Sequence, residues 1–170
     1  QDYTAIRPTY KCFHRLWTQT MDEGRMTGVV FVPRHYATLK EAVQRVKTTE
    51  DRLTIATIVL GRGEYHINGN YLAVSAAVKI VGRPDVPKEK ILVVGGIQFN
   101  KGIEGNCHLQ HMTLRQAKGT GVEGRSSFTM KDVIVEQCGG DGVVANGTGV
   151  VGRCSNMEVR QCGMSGVVAS

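Results

Sequence analysis

The sequence predicts an all-β chain wound as a single-stranded, right-handed parallel β-helix, a solenoid with rungs of about 21–24 residues and an N-terminal capping helix. The first observation is an internal repeat. LQHMTLRQAKGTGVEG from Leu109, MKDVIVEQCGGDGVVA from Met130 and CSNMEVRQCGMSGVVA from Cys154 align without a gap, at offsets of 21 and 24 residues. Gln116, Gln137 and Gln161 coincide, as do Gly121, Gly142 and Gly166. The second observation is the glycine content: 15 of the 21 Gly lie from Gly95 onward, between short β-branched runs, as in a chain that turns every few residues. The third is what is absent. The windows have neither the leucine-rich-repeat frame nor a helix, and no hexapeptide period points to a left-handed β-helix.

The elements follow in order. Phe13, Leu16, Trp17 and Met21 give Tyr10–Met21 the spacing of a short amphipathic helix, so residues 1–35 read as an N-terminal segment packing on the cap. Thr38 with Glu41 three residues on is a capping box, and Leu39, Ala42, Val43 and Val46 make one apolar face, predicting a helix over 38–47. From there the period falls to two. Thr54–Leu60, Tyr65–Ile67, Tyr71–Val74 and Val78–Val81 read as strands, and TIVLG from Thr57 echoes VKIVG from Val78 at an offset of 21. Residues 36–170 form the β-helix domain, of four to five rungs. Its last rung reads as uncovered at Ser170, which predicts either a fragment of a longer solenoid or end-to-end self-association through that rung.

Alternation then assigns faces. Met112/Leu114, Val133/Val135 and Met157/Val159 point inward, while Thr113/Arg115, Ile134/Glu136 and Glu158/Arg160 point outward. Arg115, Glu136 and Arg160 make a plus–minus–plus column, read as pairing between adjacent rungs. The glutamine column reads as an amide stack at a corner. Cys138 and Cys162 stack at a spacing a disulfide allows, but the total of five Cys is odd, and a buried thiol stack in a reducing compartment is the commoner reading.

These residues resemble the right-handed parallel β-helix, or pectin-lyase-like, superfamily. VPRHYATLKEAVQRV from Val32 is similar to its capping segment, IVLGRGEYHINGNYLAVSAAVKIVG from Ile58 to its first rung, and the three windows to its generic rungs. The resemblance implies the fold. It leaves activity open, because the superfamily holds polysaccharide lyases, hydrolases, esterases, epimerases and non-catalytic scaffolds.

Catalytic signatures are missing. Repeat carboxylates are Glu123, Asp132, Glu136, Asp141 and Glu158; only Glu136 and Glu158 share an outward face, in different columns. There is no D-D, D-x-D or Gly-His-Gly, and Ser126 and Ser127 have no His in their rung. Cys107, His108 and His111 are a weak metal-ligand set without a second ligand pair, so neither a metal nor a cofactor is implied.

Charge gives the binding candidates. The net +6 is spread as +3, +2 and +1 over residues 1–50, 51–105 and 106–170. Its local concentration is Arg83, Lys88 and Lys90 in the Gly82–Lys90 loop, joined by Lys101, a candidate site for an acidic polymer or acidic protein segment. Nucleic acid fits poorly because no aromatics interleave with these cations, and no window is apolar enough for a membrane span. Asn146-Gly147-Thr148 is a glycosylation sequon in the three-residue extension of the second repeat interval, relevant if the protein is secreted; localisation otherwise leans intracellular. The expected function is a non-catalytic interaction or scaffold module. The alternative is a carbohydrate-active protein that binds or processes an acidic polysaccharide.

Overall fold

The structure, a computed structural model, describes residues 28–48 and 57–170. The expected Tyr10–Met21 helix lies outside them. Strand β1 (Val29–Val32) leads through a turn to helix α1 (Leu39–Thr48). Thr38 caps that helix as its sequence requires: the Glu41 amide donates to Thr38 Oγ1 at 3.2 Å and the Thr38 amide to Glu41 Oε2 at 3.3 Å. Leu39, Ala42, Val43 and Val46 are buried and join the core beneath.

The chain then winds through about five turns. Its strands are β2 (Thr57–Leu60), β3 (Gly63–Val74), β4 (Lys79–Gly82), β5 (Ile91–Phe99), β6 (Cys107–Arg115) and β7 (Val122–Gly124). They continue as β8 (Phe128–Glu136), β9 (Val143–Ala145), β10 (Gly152–Ser155), β11 (Glu158–Arg160) and β12 (Val167–Ala169). All pairs are parallel and stack on three sides. Side A runs β1–β2–β4, then the first halves of β6 and β8, then β10. Side B runs through the first halves of β3 and β5, the second halves of β6 and β8, and β11. Side C runs through the second halves of β3 and β5, then β7, β9 and β12.

The gapless window alignment is the sheet register: Leu109 pairs Met130, Met130 pairs Cys154, and Val135 pairs Val159. The earlier echo is off by one residue. Thr57 pairs Lys79, not Val78, because Ile58 must stack on Ile80 to keep both in the core; a slip of one would turn Lys79 inward. Asn68–Gly69 makes no hairpin. It sits in a register irregularity within β3 between His66 and Tyr71, so the two expected strands there are one. Tyr65 points inward, with its hydroxyl 3.1 Å from the Val32 carbonyl and 2.9 Å from that of Gly61, tying the first turn to β1.

Two corners divide sides A, B and C, and non-glycine residues in the left-handed region form both. His111, Asp132 and Asn156 (φ 56°, 55° and 50°) turn A into B; Gln116, Gln137 and Gln161 (φ 55°, 54° and 55°) turn B toward C. The glycines stacked with them have another purpose. A Cβ on Gly121 would lie 2.7 Å from the Gly142 carbonyl oxygen, and one on Gly142 2.5 Å from that of Gly166. These glycines therefore let adjacent rungs approach; the glutamines make the turn.

Candidate functional site

The loop between β4 and β5 occupies the A/B corner, and its sequence-predicted cations are largely spent inside the protein. Arg83 Nε donates to Asp85 Oδ1 at 2.8 Å within the loop. Lys88 Nζ reaches 44 residues on, to Asp132 Oδ1, at 2.6 Å. Asp132 also receives Asn156 Nδ2 on Oδ1 at 2.8 Å and faces His111 Nδ1 across 2.7 Å from Oδ2, while His111 Nε2 lies 2.7 Å from the Val86 carbonyl. Partial burial works against ionising Asp132, but hydrogen bonds and charge from Lys88 and His111 outweigh it and hold the carboxyl below the usual aspartate range. The turn at Lys88–Lys90 lies over β5, β6 and β8, and Thr113 Oγ1 donates to the Lys88 carbonyl at 3.0 Å. Thr113 and Ile134 consequently point outward, as expected, yet are buried. Of the four predicted binding residues, Lys90 and Lys101 remain exposed; Arg83 and Lys88 do not form a free patch with them.

Asp132 as a hub was not anticipated. Its signal was present, since His, Asp and Asn share the third position of the three windows and are the non-glycine residues that best tolerate left-handed φ.

On side B the only outward pair of repeat carboxylates does not resemble an acid–base pair. Arg160 lies between them, Nη2 at 2.7 Å from Glu136 Oε2 and Nη1 at 2.6 Å from Glu158 Oε1. Arg115 stays out of this network. Among the described residues its buried Nε has no partner and it joins no ion pair, so of the expected three-residue column the pair formed is Arg160–Glu136. On side C, Gln98 and Arg125 hold Glu123 at 2.9 and 2.8 Å. Against the cost of partial burial, these contacts and Asn146 keep that carboxyl below the ordinary range. Asn146 itself lies in an exposed loop after β9.

The weak metal-ligand set disperses. Cys107 is fully buried in the core, His108 faces outward on side A between Thr129 Oγ1 (2.6 Å) and Gln110 Oε1 (3.0 Å), and His111 belongs to the Asp132 corner. Among the described residues no group of three or more His, Cys, Asp or Glu could hold a metal ion, and no helix is long and apolar enough to cross a membrane.

Side A is different in charge. Its outward positions from β2 to β10 are Thr57 and Val59, Lys79 and Val81, His108 and Gln110, Thr129 and Lys131, Arg153 and Ser155. None is a carboxylate. Lys79, Lys131 and Arg153 are exposed and, among the described residues, join no ion pair. Rungs about 4.8 Å apart spread these cations over three steps, roughly 14 Å along the solenoid axis, with polar side chains between them. Asp132, the carboxylate bordering this face, is already matched by Lys88 and His111. Sequence reasoning overlooked the face because its cations are distant in the chain and only the register unites them. The end rung adds exposed Val151, Met164 and Val167.

No protein-family model matches the chain, and neither the curated proteins nor the solved structures give a match.

Proposed function

We propose that this domain is a non-catalytic interaction module that binds a linear acidic polysaccharide lengthwise on side A. The observation that carries the reading is a face that bears Lys79, Lys131 and Arg153 on rungs of one parallel sheet and, among the described residues, no outward carboxylate. An extended polyanion lying along the axis meets a cation on three of the four rungs from β4 to β10, and His108 and Gln110 on the β6 rung, with Thr129 and Ser155, offer hydrogen bonds to hydroxyls between them. The outward positions from β2 to β10 include no Phe, Tyr or Trp, and the one ring there, His108, is held between Thr129 and Gln110, so bases have no row of rings on which to stack. Membership of the pectin-lyase-like superfamily, proposed on the resemblance of the capping segment and rungs, is compatible with a sugar-acid ligand. The non-catalytic part rests on Arg160, which engages both Glu136 and Glu158 and removes the free carboxylate pair that hydrolysis requires.

Isothermal titration with a defined oligouronide tests the reading. Binding is expected to weaken as salt is raised. The triple charge reversal Lys79→Glu, Lys131→Glu and Arg153→Glu is expected to weaken it by about tenfold or more at an unchanged melting midpoint, since each site is exposed. The same reversal at Lys90 and Lys101 is expected to change it little. Oligouronide binding that ignores the triple reversal would refute the assignment to side A.

A further inference from the structure

Cys138 and Cys162 occupy equivalent places just past the B-side corner, on adjacent rungs. The ladder continues beyond the strand ends: the Gly163 amide donates to the Cys138 carbonyl at 2.8 Å, keeping the two residues in direct register. Parallel neighbours in register are about 4.8 Å apart, inside the Cα range of a disulfide. Both thiols are free, and they make equivalent contacts, Cys138 Sγ 3.5 Å from the Glu136 carbonyl and Cys162 Sγ 3.6 Å from the Arg160 carbonyl. The glycine column makes their room. A Cβ on Gly121 would come within 2.9 Å of Cys138 Sγ, and one on Gly142 within 3.4 Å of Cys162 Sγ. Cys138 is buried and Cys162 partly exposed, so a reagent in solution meets Cys162 first.

We infer that Cys138 and Cys162 are a redox-responsive staple, closed by thiol–disulfide exchange with a small disulfide of the glutathione class, that covalently fastens the rung of β10–β12 to the rung before it. The Cys162 thiolate attacks one sulfur of the small disulfide, breaking its S–S bond and releasing one thiolate that takes up a proton. Cys138 then loses its proton to solvent and attacks the Cys162 sulfur of the mixed disulfide. The new S–S bond forms as the second small thiol leaves. Two protein thiols are oxidised and one small disulfide is reduced to two thiols, so electrons and protons balance. Burial first, and the neighbouring Cys162 second, push the Cys138 thiol up to about 11, so little of it is thiolate at neutral pH and Cys138 takes the second step. Cys154, exposed on the same rung, pairs in register with Met130 and has no cysteine opposite it. The inference is independent of the ligand proposed for side A.

The test is incubation of the 170-residue chain with oxidised glutathione, followed by tryptic mass spectrometry. Cleavage after Lys131, Arg153 and Arg160 puts Cys138, Cys154 and Cys162 in three separate peptides. The expected product is the 132–153 peptide joined to the 161–170 peptide, with the mass of two hydrogens lost. Its formation should be unaffected by Cys154→Ser. The staple closes a loop of some two dozen residues, and a rise in melting midpoint of about 5–10 °C, reversed by a reducing dithiol, is expected. A stable glutathione adduct on Cys162 with Cys138 still free, or a cross-link through Cys154, would overturn the inference.

Discussion

Individual side chains at the A/B corner decide whether the loop after β4 stays down. Asp132 accepts Lys88 and Asn156 on one oxygen and faces His111 from the other, so one carboxylate joins the loop to three rungs. Asp132→Asn leaves Lys88 without a counter-charge in a partly buried place. We expect a loss of about 1–2 kcal/mol, reduced from a fully buried pair by the solvent that reaches it, read as a fall in melting midpoint of roughly 2–6 °C. The pH dependence has a definite sign. The folded carboxyl titrates below its unfolded value, so wild type holds its full advantage over Asp132→Asn above the ordinary aspartate range near pH 4. That advantage shrinks as the pH falls from there through the folded value. Melting both proteins across that window checks it. Arg115 is the opposite case: its buried Nε has no partner, so Arg115→Met is expected to be neutral or slightly stabilising in a urea titration.

At the scale of strands and corners, close approach between rungs sets the tolerances. Gly142→Ala would drive a Cβ to 2.4 Å from Val159 Cγ1 and 2.5 Å from the Gly166 carbonyl oxygen. We expect it to cost about 2–4 kcal/mol by denaturant unfolding, whereas Gly166→Ala, with nothing nearer than 3.8 Å, should cost less than about 0.5 kcal/mol. Equal effects would contradict the account of that column. Much of this scale was legible in the chain. The windows from Leu109, Met130 and Cys154 carry their own register, because stacked residues must agree in size and polarity from rung to rung. Thr38 and Glu41 likewise declare the start of α1. The corner chemistry was harder to read. The glutamine column was expected at a corner and glycine at the other turns, but it is Gln116, Gln137 and Gln161 that take the left-handed backbone, and glycine fills a steric gap that exists only once the next rung is stacked. The slip at Thr57 arose because TIVLG and VKIVG match by residue type, while burial of Ile58 and Ile80 demands one more residue between them.

For the molecule as a whole, the solenoid sorts charge by side. Among the described residues, carboxylates Glu64, Glu136 and Glu158 face out on side B and Glu123 on side C, whereas the strands of side A carry Lys79, Lys131 and Arg153 with none. Linear sequence hides this sorting. Local density of Arg83, Lys88 and Lys90 draws attention to the loop, and only three-dimensional pairing reveals that Asp85 and Asp132 neutralise two of them. The three side A cations follow one another at intervals of 52 and 22 residues in the chain and come together only through the register of β4, β6, β8 and β10. The most direct test of the account is an NMR titration of the isotope-labelled chain with an oligouronide. Side A binding predicts shifts at Lys79, His108, Gln110, Lys131 and Arg153, growing together to saturation while Glu64, Glu123 and Glu158 stay still. Shifts centred on the side B or side C residues, or none at saturating oligouronide, would contradict it.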